Sequence, residues 1–321
     1  MSKRYLVTGG TGFIGSSLVR RLVQSGHSVR VLDNNSRGVL DRLSDVRSDI
    51  EVIEADIRDR DRVVGAAAGV DSVVHLAYVN GTEYFYSKPE LVLDIAVRGM
   101  LNVIDGCRAN GVGEMVLASS SEVYQTPPQI PTPEDVPLVV PDVMNPRFSY
   151  GGGKLASELM AVTYGRTGFD RVMIFRPHNV YGPDMGWEHV LPQFVVRANE
   201  AIAATPAGPV DFPIQGDGSE TRAFVHIDDF TAGVACILER GQHLGIYHVG
   251  NPEEVSIRDV VTRIFGVLDR EVNIVPGKLT EGSTRRRCPD ISKLQALGYS
   301  PQMSLAQGLP SLIGWYTQHS R

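Results

Sequence analysis

Cysteine is scarce in this chain. Cys107, Cys236 and Cys288 are the only three, far apart and without a CxxC pair. An odd, scattered set does not make a disulfide framework, and it points to reduced thiols in a cytoplasmic setting. Long apolar runs are missing too, so no segment reads as spanning a membrane. The first strand begins at once, which leaves no signal peptide. Positive charge is in deficit: 31 Lys and Arg against 37 Asp and Glu leave a net charge of −6 and no long basic block. Nucleic acid is therefore not expected as a main partner, and an anionic ligand must be held by local arginines and helix ends. His178, His189, His226 and His248 show no ligand spacing, so no metal is expected. Internal repeats and low-complexity tracts are also absent.

What is present is enough apolar residue for a substantial core: 42% hydrophobic and 21% charged over 321 residues. That length suits one large domain or two lobes. From residue 3 to about 180, short apolar strands alternate with helices, the pattern of a parallel α/β sheet. The stretch Lys3–Gly15 is a buried strand, a glycine-rich turn and the opening of a helix. Gly9, Gly12 and Gly15 sit at three-residue spacing. One allows the tight turn, one lets the backbone approach a diphosphate, and one lets helix and strand lie close. The helix N-terminus offers unpaired N–H groups to that diphosphate. Ser28–Leu32 reads as the second strand and ends on Asp33, whose carboxylate suits two ribose hydroxyls and repels a 2′-phosphate. NAD is expected over NADP.

Further strands are expected at Glu51–Ala55, Val70–Ala77, Glu114–Ala118 and Arg171–Arg176. Asp56 and Ile57 follow the third strand. Asp56 is placed to accept from the adenine amino group with Ile57 on the ring, or to cap a helix over Arg58–Ala68. Leu76 and Ala77 end the fourth strand, close to the cofactor, and His75 reads as a core histidine. Tyr78–Pro89 reads as a loop whose aromatics, Tyr84 among them, are placed to touch substrate or to pack. A long helix spans roughly Glu90–Asn110. Later helices are expected near Leu191–Ala204, at Ile227–Arg240 and at Ser256–Val267.

Tyr150 and Lys154 are four apart at a helix start, so they share a face. A nearby ammonium lowers a phenol's pKa, and a tyrosine so tuned can take the proton from a substrate hydroxyl as hydride leaves the carbon. Ser120, at an adjacent strand end, shares the same oxygen. Glycine turn, serine cluster and YxxxK occur in order, each at a strand end or helix start.

On these residues the chain resembles the extended short-chain dehydrogenases/reductases of the nucleotide-sugar epimerase/dehydratase family. The matching pieces are TGGTGFIG, Asp33, Asp56-Ile57, His75–Ala77, Ser119–Tyr124, Tyr150–Lys154, Arg176–Pro183 and Glu220–Asp229. The resemblance implies an α/β Rossmann fold, a doubly wound parallel sheet, with a smaller C-terminal substrate-binding lobe. Residues 1–180 would form the NAD-binding part, with some later segments returning to it, and 181–321 mainly the nucleotide-sugar lobe. It implies Ser120, Tyr150 and Lys154 as the catalytic triad. Gly9, Gly12, Phe13, Ile14, Gly15, Asp33, Asn34, Asp56, Ile57, Leu76, Ala77 and Pro177 would hold NAD, together with Tyr150 and Lys154. Asn179, Arg222 and Arg287 would meet the sugar or its diphosphate, as a guanidinium fork suits phosphate oxygens. Arg285–Arg287 reads alternatively as a solvated basic run. His178, unusual at its position, faces the sugar on this reading.

Glu122 stands where dehydratases and UDP-glucuronate decarboxylases of the family carry a glutamate, but Ser121 replaces the acidic partner. Glu122 is thus a base at carbon-5 or a local pairing group. Ala96 replaces an asparagine, Gly153 a serine and Gln125 a glycine. The implied function is NAD-dependent epimerisation of a nucleoside-diphosphate sugar through a 4-keto intermediate. The alternatives are 4,6-dehydration, UDP-glucuronate-type decarboxylation and, more distantly, a non-catalytic NAD-binding regulator. A homodimer through the helices near 90–110 and 150–167 is the family expectation.

Overall fold

Seven parallel strands form the centre of the protein, whose structure is a computed structural model describing residues 2–278 and 285–319. Six of them run in chain order: β1 (Arg4–Thr8), β2 (Ser28–Asp33), β3 (Ile50–Glu54), β4 (Ser72–His75), β5 (Glu114–Ala118) and β6 (Arg171–Pro177). The seventh is Gly245–Val249. Across the sheet the order is Gly245–Val249, β6, β5, β4, β1, β2, β3. The order reverses at β1, with β2 on one side and β4 on the other. At such a switch point the loops at the strands' C-terminal ends part and leave a crevice. The strand at 245–249 returns to this sheet from late in the chain, pairing with β6.

Both faces of the central strands are covered, so β4 and β5 are buried along their whole length. Leu6 packs with the helices α2 (Arg60–Ala66) and Met100–Ala109. Its neighbour Val7 points the other way, toward α1 (Phe13–Gln24) and the helix Ile227–Arg240. This is the period-two alternation of a strand made into two cores.

The stretch read as one helix over Glu90–Asn110 is helical but not uniform. It runs from Pro89 to Asp94, passes through a π-turn at Ile95–Gly99, and continues to Ala109. The segment Tyr78–Pro89, read as a loop, contains a short helix, Thr82–Ser87. The helix opened by the YxxxK stretch is Ser149–Gly165.

The remaining segments build a third core. Tyr181, Phe194, Phe212, Phe265, Leu309 and Tyr316 are buried together there. Burial of such a side chain contributes about 1.5–3 kcal/mol each. Small strands frame it: Val210–Ile214 beside Val272–Pro276, and Thr221–Ala223 between Glu254–Ser256 and Arg286–Arg287. The latter sheet brings the basic stretch back over the mouth of the crevice.

Candidate active site

Two cavities meet over the C-terminal ends of the parallel strands. The first is lined by Gly9, Gly12, Phe13, Ile14, Gly15, Asp33, Asn34, Asp56, Ile57, Leu76 and Ala77. All eleven are residues that the sequence assigns to the dinucleotide. Gly9 has φ +74°, and a Cβ there would lie 2.7 Å from the Ala77 amide nitrogen. A Cβ on Gly15 would run into the Gly9 carbonyl oxygen and lie 2.7 Å from Gly10 Cα. Only glycine fits these positions. Gly12 caps α1 with no side-chain bond, and no acid stands in the first turn. The helix end is thus a free anion cradle.

Asp33 holds the loop around this cradle. Its Oδ2 accepts from Thr11 N at 3.0 Å and its Oδ1 from Asn35 N at 2.9 Å. Two arginines on the same wall are already paired, Arg37 with Glu188 and Arg42 with Asp184. A 2′-phosphate would therefore meet a carboxylate and, among the described residues, no free cation on this wall, which fits NAD rather than NADP. Asp56 does not cap α2; Asp59 does, accepting from Arg62 N. Asp56 instead binds Arg58 Nη2 at 2.8 Å and Asn34 Nδ2 at 3.0 Å. The Arg58 hydrogen bonds hold its carboxyl down at about 2 despite burial.

The second cavity is lined by Ser120, Ser121, Glu122, Tyr150, Lys154, Pro177, Asn179 and Arg287, and it shares Phe13, Ile14, Leu76, Tyr78, Asn80 and His189 with the first. Ser120 follows β5 by two residues and caps the 3₁₀ turn Ser121–Tyr124, its Oγ accepting from Glu122 N at 3.1 Å. Lys154 is buried and donates to Ala118 O at 2.7 Å. Asn179 turns out of β6 at φ +40° and donates to Ala223 O at 2.8 Å.

Burial acts on both members of the Tyr150–Lys154 pair. Burial pushes the Tyr150 phenol up to about 12, offset in part by its hydrogen bond with Ser120. Burial pushes Lys154 down to about 7, against the pull of Glu158. The Lys154 ammonium lies 3.8 Å from the centre of the Tyr78 ring and 6.0 Å from that of Tyr150. Desolvation outweighs the through-space attraction that the i, i+4 spacing promises.

Glu122 is tied to Arg287 by a direct ion pair. Burial would raise its carboxyl, but Arg287, with Arg147 and Arg222 behind it, holds it below the usual range. The basic run is thus divided: Arg287 faces the cavity, while Arg286 pairs on the surface with Glu254 at 2.7 Å. Ser121, beside Glu122, is buried. Gln125 adopts φ +53°, the conformation for which a glycine would be the easier residue.

Three residues expected on the substrate side lie off the walls of the two cavities. His178 does not line the cavity; it is buried against His248, with neither ring nitrogen bonded. Pro177 and Asn179 take the cavity side of the strand end, and alternation sends His178 the other way. Tyr84 lies outside both cavities, under Arg37 at 5.2 Å, because Thr82–Ser87 is helical. That helix presents Phe85 instead, stacked on Tyr150 at 5.0 Å. Arg222 is not on the cavity wall, and donates to Thr221 O at 2.7 Å. His75 is in the core, 2.7 Å from Thr8 Oγ1. Tyr78 and Phe85, two of the loop aromatics placed to touch substrate or to pack, do line this cavity, and so does Arg147, which the sequence did not single out. The position of Tyr78 directly after Leu76-Ala77 was the available signal. Among the described residues no cluster of ligating side chains could hold a metal ion, and no helix is long and apolar enough to cross a membrane.

The chain matches the model of the family described as NAD dependent epimerase/dehydratase over residues 5–250. It is 32% identical to UDP-glucuronic acid decarboxylase 2 of Arabidopsis thaliana, covering 98% of this chain and 68% of that protein. It is also 32% identical to UDP-glucose 4-epimerase of Mycolicibacterium smegmatis, covering 99% of this chain and 100% of that one. The structure of DesIV, a dTDP-glucose 4,6-dehydratase from Streptomyces venezuelae with NAD bound, superimposes with TM-score 0.85 at 31% identity, over 98% of this chain and 97% of that one. Fold, glycine cradle, acidic ribose site and matching relatives agree: the chain belongs to the NAD-dependent epimerase/dehydratase family of nucleotide-sugar enzymes, and its cofactor is NAD.

Proposed function

We propose that this protein is an NAD-dependent epimerase of a nucleoside-diphosphate sugar, working through a transient 4-ketone. The observation that carries this reading is the Ser120–Tyr150 hydroxyl pair in a polar cavity that shares walls with the glycine-lined one. NAD, when bound, accepts the hydride from carbon-4 and returns it. The phenolate form of Tyr150 takes the proton of the carbon-4 hydroxyl, becoming the phenol, and the Ser120 hydroxyl donates to the same oxygen. The sugar then turns, so that carbon-4 is presented by its other face. Tyr150 then gives its proton back as carbon-4 is reduced. Arg287 reaches the diphosphate from the mouth of the cavity, and Asn179 meets the sugar.

The Glu122–Arg287 pair supports epimerisation over dehydration. Elimination needs a free base at carbon-5 and an acid for the leaving hydroxyl. Glu122 is neutralised by a guanidinium, and Ser121 offers no acid.

One observation favours a second reading. Three guanidiniums, Arg147, Arg222 and Arg287, act on one carboxylate at Glu122. That excess positive charge suits a uronic acid sugar, which a 4-ketone primes for decarboxylation. The decarboxylase relative fits the same reading.

Incubation of the NAD-loaded protein with a panel of UDP-, dTDP- and GDP-linked sugars and uronic acids tests both. A product of unchanged mass with an inverted carbon by NMR is expected. Loss of water or of carbon dioxide would replace epimerisation by the corresponding alternative. Tight NAD binding with no turnover on any sugar would return the chain to a regulatory role.

A further inference from the structure

Tyr78 is used by none of the steps above, yet it stands where the two cavities join. Its ring lies edge-on to Tyr150, 5.2 Å between centres at 87°. Its hydroxyl is buried without a hydrogen-bond partner among the described residues. A buried hydroxyl left unpaired is costly, so the ring must be held there by something else.

The slot it occupies is made by two small residues. A Cβ on Gly153 would run into the Tyr78 hydroxyl and lie 2.8 Å from Ala96 Cβ. Any larger side chain at 153 displaces the phenol. The ring that fills this slot carries the Lys154 ammonium on its face, at 3.8 Å from the ring centre. Neither Gly153 nor Ala96 offers a polar atom in its side chain. The lysine's one hydrogen bond to protein is to Ala118 O. An ammonium over an aromatic face is held by the ring quadrupole, most strongly where water is excluded.

We propose that Tyr78 is the positioning residue of Lys154: its ring face, seated in the Gly153–Ala96 slot, holds the ammonium at the junction of the two cavities and keeps it charged. The proposal rests on the reading above for the part Lys154 plays in turnover, but not for the contact itself.

The other groups that act on this ammonium are few. Glu158, on the lysine's own helix, favours the charged form. His75 on β4 feels the lysine's charge and is held neutral, its pKa pushed down to about 3 by burial and by Lys154. The Ala118 carbonyl on β5 accepts its proton. Tyr150, also on its own helix, is neutral while its pKa stays near 12. Against burial, which drives Lys154 toward the neutral amine, the Tyr78 face, Glu158 and the Ala118 carbonyl favour the charged form.

The chain has five lysines, so a titration of protein labelled with carbon-13 at the lysine ε-position resolves Lys154 directly. It requires no sugar, so it stands or falls apart from the substrate. Tyr78→Phe keeps the ring and is expected to leave the Lys154 midpoint where it is. Tyr78→Leu removes the quadrupole and is expected to lower the midpoint by about half to one and a half pH units. A midpoint that stays or rises in Tyr78→Leu would reduce Tyr78 to a space-filling residue and overturn the proposal. Should Tyr78→Leu not fold, Gly153→Ala carries the test. It pushes the phenol off its seat and lowers the midpoint, and adding Tyr78→Phe, which removes the clashing hydroxyl, restores it in part. No restoration in the double variant would equally overturn it.

Discussion

The chemistry depends on two buried groups whose charge states the fold has pushed toward neutrality. Tyr150 is held as the phenol, near 12, and Lys154 is brought down to about 7. Tyr150→Phe deletes the acid–base hydroxyl and nothing else. It is expected to lower kcat by about 10²–10⁴-fold while NAD stays bound, as measured by turnover beside nucleotide released on denaturation. Near-normal turnover would remove Tyr150 from its role. Lys154 gives a pH prediction with a definite sign. Its folded pKa of about 7 lies below the 10.5 of a free lysine. Between the two, the unfolded chain binds a proton that the folded chain does not, so stability rises as pH rises through that window. Below about 7 both states are protonated and the penalty is constant. Urea midpoints of the wild type relative to Lys154→Met should therefore climb from about pH 7 toward pH 10. A flat difference would mean that the folded lysine keeps its proton.

At the scale of elements, the crevice exists because α1 lies hard against the turn that precedes it. Gly15 faces the Gly9 carbonyl with no space for a methyl group. Gly15→Ala should cost about 1–3 kcal/mol of stability, as overpacking does. It should also abolish the rise in melting temperature that NAD gives the wild type, since the amide cradle is levered apart. An unchanged NAD-induced rise would show that the turn tolerates a wider helix approach. The π-turn at Ile95–Gly99 acts similarly from the other side. A Cβ on Gly99 would crowd Ile57, which lines the same cavity. Apolar spacing over 90–110 reads as one helix because a single wider turn shifts the stripe without breaking it.

At the scale of the whole molecule, apolar side chains remain uncovered on the helices flanking the site. Leu159 is 65% exposed, Leu93 43% and Val97 40%. Pro89–Asp94 and the π-turn lie beside Ser149–Gly165, so these residues belong to neighbouring helices. We propose that a second copy of the chain covers them, as the resemblance to the family implies. Leu159→Glu should then shift light-scattering mass from dimer to monomer, with NAD still bound. A wild type that is already monomeric would remove the proposal.

Much of the first 180 residues was legible from the chain alone. Strand ends, the glycine turn, Asp33 and the YxxxK helix are local patterns, written in periods of 2 and 3.6 and in residues that only one backbone geometry tolerates. Asp56 and Tyr84 were harder, because one residue of phase at a helix start decides which side chain caps and which faces inward. The Glu122–Arg287 pair joins residues 165 apart, and the Tyr78–Gly153–Ala96 slot joins three separate segments. No spacing rule reaches across such distances. By itself the sequence determined the sheet, the cradle and the presence of a serine, a tyrosine and a lysine at the right strand and helix ends. Only the tertiary structure decided which charges those groups carry, because desolvation and ion pairing depend on what the folded chain packs around them.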